Sequence, residues 1–285
     1  MKRAVVFAHY DRQDVVDPYV YFYLKQLEHL CDRLIVVSTS ALKQEEITEL
    51  ESIGCDVITR ENVGYDFMSY RTGIESINYQ DFDELVICND SVYGPFFDLS
   101  SVFLEMQEKH EVDFWGMTSG TDIAYHLQSY FLVFNRAVLN SDAFMQFWES
   151  VGVLDDKREI IKQYEVGLSQ KLLTAGFKPM AYADYMPSAS SQLLAMAKRF
   201  SFAKVNRKIK ALLGGENIIP RVNISHFHWK ELILGNRMPF IKVELVRDNP
   251  MQVGIEDYEN VIRSVSHYDT RLIKNHLSRI SDLRS

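Results

Sequence analysis

The sequence predicts an α/β fold, a Rossmann-type and mostly parallel sheet with flanking helices and a helical C-terminal extension. Two observations carry this. The first ninety residues alternate short apolar runs with amphipathic ones in a β-α-β-α-β-α-β series, the pattern of parallel strands joined by helical crossovers. Polar clusters that packing does not ask for then follow the apolar runs, at the strand ends where open α/β sheets bind ligands.

The elements are justified in turn. AVVFAH (4–9) is the first strand; its basic start leads an apolar run of about five residues, too short for a signal peptide. DPYVYFYLKQLEHLC (17–31) is a helix with Asp17 as N-cap and Pro18 in the first turn, where the missing N–H of proline is not needed. LIVVST (34–39) is the next strand, and KQEEITELESI (43–53) the next helix, stopped by Gly54. CDVIT (55–59), a helix over 66–77 and ELVIC (84–88) complete the series. Beyond residue 95 the pattern loosens. DFWGMT (113–118), SYFLVF (129–134) and KPMAYA (178–183) read as strands; 141–151, 158–176 and 257–280 read as helices.

Composition sets the broad class. A 285-residue chain that is 47% apolar and 25% charged is an ordinary water-soluble protein, and no apolar run approaches the ~18 to 20 residues of a membrane span. Cys31, Cys55 and Cys88 have no CxxC spacing and are odd in number, which implies a reducing, cytoplasmic setting. A formal charge of −8 argues against a nucleic-acid binder. One stretch departs from this balance: KRFSFAKVNRKIK (198–210) carries six basic residues and no acid. With Phe200 and Phe202 interleaved, it suits an anionic membrane surface, or else a solvated helix face.

The polar clusters are HYDRQD (9–14), STS (38–40), RENVGYD (60–66) and NDSVYGP (89–95). Gly64, in the turn after Asn62, permits a backbone that a side chain would forbid. Arg71 can grip a phosphate with its planar fork, or pair with Glu75 one turn on. Asp90 is the single carboxylate of the Asn89-Asp90-Ser91 triplet, available for a ligand or for capping a turn. In SHFHW (225–229), His226 and His228 alternate along an extended segment and so face one side. The alternative there is ordinary packing beside Phe227 and Trp229.

Read in order, residues 61–91 have the layout of inverting nucleotide-sugar glycosyltransferases of the GT-A fold. An Asn-x-Gly turn leads a helix with Arg near its start, and a buried strand then ends in an Asp-x-Asp-like triplet. YEVGLSQKLLTAGFK (164–178) resembles the acidic helix start of those enzymes, whose acid is the catalytic base. Together with CNDSVYGPF (88–96), DFWGMT, HLQSYFLVF (126–134) and PFIKVELVRDNP (239–250), the set resembles rhamnan synthesis protein F over nearly the whole chain.

The resemblance implies transfer of a sugar, rhamnose being one candidate, from a nucleotide diphosphate sugar to a cell-surface glycan or lipid-linked acceptor at the cytoplasmic face of the membrane. The alternative is a GT-A-like module that binds nucleotide sugar or glycan without turnover. Glu165 would be the general base, and Asp90 a second catalytic residue and a ligand for Mg²⁺ or Mn²⁺. Tyr10, Asp11, Asn62, Gly64, Asp66, Arg71, Asn89 and Ser91 would contact the donor. His126 and Gln128 would lie on the acceptor side, with His226 and His228 on the diphosphate or a metal. The core would span 1–190, with a nucleotide-binding half of about 1–95 and an acceptor half of about 96–190; residues 191–285 would complete the site. Two departures stand out: STS replaces the acid that commonly reads the base, and the triplet has one carboxylate instead of two, which leaves metal dependence open. A nucleotidyltransferase would carry a Gly-rich loop after the first strand, and HYDRQD contains no Gly.

Overall fold

The structure, a computed structural model, describes residues 1–183 and 223–281; the basic stretch 198–210 lies outside them. Seven strands form one sheet: β1 (Arg3–His9), β2 (Arg33–Ser38), β3 (Cys55–Thr59), β4 (Glu84–Asn89), β6 (Phe114–Gly116), β9 (Phe131–Asn135) and β10 (Pro179–Ala181). Four two-residue strands, β5 (Val92–Tyr93), β7 (Ser119–Gly120), β8 (His126–Leu127) and β11 (Ile241–Lys242), make small ladders beside it. The order is β10-β6-β9-β4-β1-β2-β3. Only β9 runs against its neighbours β4 and β6, and the remaining pairs are parallel. The fold is therefore α/β with a mostly parallel mixed sheet.

Apolar residues on both faces of each strand explain this layering. Val5, Phe7, Leu34, Val36, Val86 and Cys88 enter one core cluster, while Ala4, Val6, Ile35, Val37, Leu85 and Ile87 enter the other. Alternation along a strand sends neighbours to opposite faces, so a continuous apolar run needs cover on both. The first face is covered by α1 (Pro18–Glu28), by Leu50 of α2 (Gln44–Ser52) and by α4 (Leu99–Gln107). The second is covered by α3 (Tyr65–Glu75), α5 (Arg136–Leu139), α6 (Asp142–Ser150) and a helical run that continues from α7 (Lys157–Ile160) into α8 (Gly167–Thr174).

The C-terminal residues join the first cluster. Trp229, Leu232 and Ile233 come from the segment made of α9 (Ile224–Phe227) and α10 (Trp229–Asn236), and Leu245 from α11 (Val243–Asp248). Ile262 and Ile273 come from α12 (Tyr258–Val265) and α13 (Arg271–Ser281). The single helix expected over 257–280 is thus two. Ser266 leaves α12 with an extended backbone (φ −153°, ψ 165°), and the Asp269 carboxylate accepts the Arg271 N–H at 3.0 Å to begin α13. Asp17 heads α1 as expected but makes no capping bond. Its carboxylate is taken instead by Arg279 of α13, which fastens the end of the chain to the β1–α1 loop.

From β1 the chain proceeds to β2 and β3 on one side, and β4 begins the other side. The sheet therefore opens a crevice beyond the ends of β1 and β4, the switch point at which such sheets bind ligands. A strap from the C-terminal part closes its flank. β11 pairs antiparallel with β5, Lys242 opposite Val92; Val243 N–H donates to Ser91 O at 2.9 Å, and Phe96 N–H to Pro239 O at 2.8 Å.

Two predictions follow from this packing. Gly94 has φ +132°, and a Cβ there would lie 2.3 Å from Pro239 O, so Gly94→Ala combines backbone strain with a steric clash. Urea denaturation should show a loss of about 1–3 kcal/mol or more, and a wild-type midpoint would mean that the strap is not closely held. His9, with Nδ1 2.9 Å from Ser38 Oγ, is buried, and burial lowers its pKa from 6.5 to about 4. Between those values the unfolded chain binds a proton that the folded one refuses, so this residue's contribution is present above pH 6.5 and is lost as pH falls towards 4. His9→Gln removes that contribution. The stability difference between wild type and variant should shrink by up to about 3 kcal/mol from pH 7 to pH 4, measured by chemical denaturation at each pH.

Candidate active site

Residues from all four expected strand ends meet in one groove of adjoining cavities. A space of about 450 Å³ is lined by His9, Tyr10, Thr39, Asn62, Gly64 and Asp66 among others. A second, of about 280 Å³, shares Asp66 and adds Asn89, Ser91, Glu165, His226 and Lys242. A third, of about 370 Å³, shares Tyr10 with the first and Ser91 with the second, and reaches Asp11 and Asp90. His126, Gln128 and Glu165 border a fourth.

The turn after β4 is internally braced. Asn89 Nδ2 donates to Asp66 Oδ2 at 2.7 Å, and Asn89 Oδ1 accepts from Ser91 Oγ at 2.6 Å and from Ser91 N–H at 3.1 Å. The Asn89 amide orientation is fixed by these bonds. Asp66 stands in the first turn of α3, where the helix dipole favours a negative charge; burial nonetheless raises its pKa, against the opposing pull of Asn89 and Lys242. Burial raises Asp90 well above the usual carboxylate range, and the nearby Asp66 and Asp11 add to the rise. Asp90 Oδ2 accepts the Tyr10 N–H at 2.8 Å, and its carbonyl accepts the Tyr19 hydroxyl at 3.0 Å.

Glu165 is placed differently from the expected helix start. It lies inside a helical run, in a π-turn over Ile161–Val166 between α7 and α8. Such turns shift the helical phase by one residue and recur at functional sites. Tyr164 anchors this one: its hydroxyl donates to Gly152 O at 3.0 Å and accepts Gly152 N–H at 2.9 Å. Glu165 Oε2 accepts Ser129 N–H at 2.8 Å and Ser129 Oγ at 2.5 Å. Its Oε1 stands 3.6 Å from His126 Nε2. Because His126 Nδ1 lies 2.9 Å from the Ala124 carbonyl, which can only accept, Nδ1 carries the proton and Nε2 faces the groove. One carboxylate oxygen is pinned, and the other is turned to an ionisable neighbour.

Other expected residues fall on or off the groove. Gly64 takes φ +70°, and a Cβ would meet Met68 Cγ at 2.3 Å. The loop that carries Asn62 and Gly64 is shaped by Arg60, which donates to Glu61 O, Val63 O and Tyr65 O at 2.9, 2.7 and 2.8 Å. Arg71 does not reach the groove; it pairs with Glu75 at 2.7 Å and donates to Val151 O, so the i+4 reading describes it. Gln128 Oε1 accepts from Thr118 Oγ1 at 2.6 Å, which holds the side chain beside Glu165. Asp11 has its carboxylate held by Arg279. Burial would push Asp11 up, but Arg279 brings it below the usual value.

The extended reading of 225–229 is corrected. Asn223 Oδ1 accepts the Ser225 N–H at 3.1 Å and caps the helical turn α9. Along a helix residues i and i+2 diverge, so the two histidines part. His226 lines the groove with Nε2 4.0 Å from Glu244, and burial lowers its pKa to about 4, helped by Lys242. His228 lies 3.9 Å from Glu231 and is not among the residues that border these cavities.

Two residues beyond the named contacts belong to this site. Ser129, the last residue of the acceptor-side run 126–129, positions Glu165. Lys242 was a lone cation inside the apolar run PFIKVELV. Its Nζ sits 3.6 Å from the Tyr130 ring centroid, and burial lowers its pKa to about 8 although Glu165, Asp66 and Glu244 pull it up.

At the triplet the described residues offer a divalent cation the Asp90 carboxylate, with one oxygen accepting Tyr10 N–H; an ion held there would take its remaining ligands from water and from phosphate oxygens. Asn89 is engaged at both ends of its amide. The one three-residue group of metal-ligating type among the described residues is Asp11, Asp17 and His276; there the Arg279 guanidinium already binds both carboxylates.

Comparison with known proteins adds the lineage. The chain is 32% identical to the virulence protein VirA of Vibrio anguillarum over 236 residues, 78% of this chain and 74% of that protein. It is 30% identical over 160 residues to the uncharacterised protein y4gN of Sinorhizobium fredii, 53% of this chain and 42% of that one. Among solved structures, the glycosyltransferase GlyE of Streptococcus pneumoniae superposes with a TM-score of 0.40 at 15% identity, over 98% of this chain and 64% of that one. The 4-diphosphocytidyl-2C-methyl-D-erythritol synthase of Anaerococcus prevotii gives 0.39 at 10% identity, over 63% and 86%. The description of the family model that matches residues 34–211 is rhamnan synthesis protein F. The chain belongs to the rhamnan synthesis protein F family.

Proposed function

We propose that the chain is an inverting glycosyltransferase that moves a sugar, with rhamnose the first candidate, from a nucleotide diphosphate sugar to a cell-surface polysaccharide acceptor. The observation that carries this reading is the Glu165 carboxylate. It is set on a π-turn, pinned through one oxygen by Ser129, and shares a cavity with Asp66, Asn89 and Lys242 at the switch point of the sheet. The donor nucleotide lies along Tyr10, Thr39, Asn62 and Gly64, and its sugar reaches Asp66 and Asn89. An acceptor hydroxyl enters past Gln128 and His126 to Glu165.

In the reaction, Glu165 takes the proton of the acceptor hydroxyl as that oxygen bonds to the anomeric carbon. The bond from carbon to diphosphate breaks on the opposite face, and the electron pair leaves with the diphosphate. Ser129 keeps the carboxylate aimed, and His126 faces the oxygen that receives the proton. Asp90 shapes the β1–β4 crevice through Tyr10. Among the described residues no helix is long and apolar enough to cross a membrane.

The deciding experiment is a panel of dTDP-rhamnose with UDP- and GDP-sugars, each with and without Mn²⁺, followed by release of the nucleoside diphosphate. Release from at least one donor is expected. Donor binding without release under any condition would favour the assembly-module reading. Glu165→Gln keeps the shape and removes the charge, and should lower kcat by about 10²- to 10⁴-fold, the usual worth of general-base help. Donor affinity should hardly change. A folded variant with wild-type kcat would remove Glu165 from the mechanism and make Asp66 the next carboxylate to test.

A further inference from the structure

Lys242 is a cation at a place where packing alone would take an apolar side chain. Tyr130, Trp229 and Phe240 surround a small space that it enters, and its neighbours Ile241 and Val243 are buried hydrophobics. Among the described residues no carboxylate comes within ion-pair distance of its Nζ; the contact it makes is with the Tyr130 ring, at 3.6 Å. Removing an ammonium from water without a close counter-ion is costly, and burial accordingly lowers its pKa. Such a site is restored to balance when an anion arrives. The backbone of Lys242 is fixed beside the Asn89–Ser91 turn by the β11–β5 pairing and by the bond from Val243 to Ser91. Lys157, at the start of α7, borders the same cavity and the adjoining one that leads to Asp90 and Tyr10.

We propose that Lys242, with Lys157 beside the same cavity, seats the diphosphate of the donor and takes up the negative charge of the leaving group in the role that a divalent cation would otherwise fill. This rests on the nucleotide-sugar reading above. As the bond from the anomeric carbon to the phosphate oxygen breaks, the electron pair stays on that oxygen and the acceptor proton goes to Glu165. The nucleoside diphosphate departs from an ion pair with Lys242. The Asn89–Ser91 turn brings a single carboxylate, Asp90, with one oxygen accepting Tyr10 N–H, so Lys242 and Lys157 supply the positive charge on this wall of the groove.

The test is calorimetric binding of UDP, GDP and dTDP to the full chain in EDTA, with wild type, Lys242→Met, Lys242→Arg and Lys157→Met. Thermal unfolding confirms that each variant is folded; Met keeps an unbranched stem and removes the ammonium that stands over the Tyr130 ring. The expected result is that at least one nucleoside diphosphate binds wild type in EDTA. Lys242→Met should weaken it about 10- to 100-fold, as for a lost charge-assisted contact, while Lys242→Arg loses less and Lys157→Met shows a smaller loss. Binding that needs added Mn²⁺, or a Lys242→Met protein that binds as tightly as wild type, would overturn the inference and leave the glycosyltransferase reading standing. Failure of all three nucleotides to bind wild type, with or without Mn²⁺, would overturn the donor reading and the inference together.

Discussion

The groove depends on a ladder of two residues. Pairing of Ile241 and Lys242 with Tyr93 and Val92 is small in area, but it bolts the C-terminal segment to the turn that follows β4. Lys242 and Glu244 on that wall lie in or directly after the strap. Its closeness is a backbone matter: Phe96 N–H meets Pro239 O at 2.8 Å, and the side of Gly94 that faces Pro239 has no room for a Cβ. Behind it, Phe240 tilts against Phe131 and Tyr23 with ring centroids 5.8 and 5.0 Å apart, so the strap is also a core element.

The electrostatics of the groove follow from the same closure. Asp66 and Asp90 are pushed up and Lys242 and His226 are pushed down, each with burial as the first cause. Lifting a carboxylate and lowering an amine both reflect a charged form that water no longer supports. A cavity of that kind is suited to a ligand that brings its own charge. At the outer edge the logic is reversed. Arg279 satisfies Asp11 and Asp17 together, which makes that cluster a structural clasp between α13 and the β1–α1 loop.

Much of the framework was legible in the residues. CDVIT occupies the strand it was read as, Gly54 ends α2 with φ +98°, and the polar residues after the first four strands do line one groove. Those features are local: short continuous apolar runs, a glycine at a helix end, and a packing rule for parallel sheets. Less legible were α4, whose Asp98 cap bonds to Ser100 N–H at 2.9 Å, and the small ladders, too short to leave a periodic pattern. Arg71 carried two readings in the sequence, a phosphate fork or an i+4 pair with Glu75, and its helical phase aims it at Glu75.

By itself the sequence determined the α/β class, the crevice at the ends of β1 and β4, and the carboxylates available to it, because each follows from neighbours in the chain or from a general rule of parallel sheets. Only the tertiary structure decided which groups meet. Ser129 reaches Glu165 across 36 positions, Arg279 reaches Asp11 across 268, and Lys242 arrives beside Asn89 through a ladder of two residues. The π-turn that aims Glu165 is likewise set by Tyr164 bonding to Gly152, 12 residues away. Contacts at such separations are chosen by how whole layers pack, and no local pattern records them.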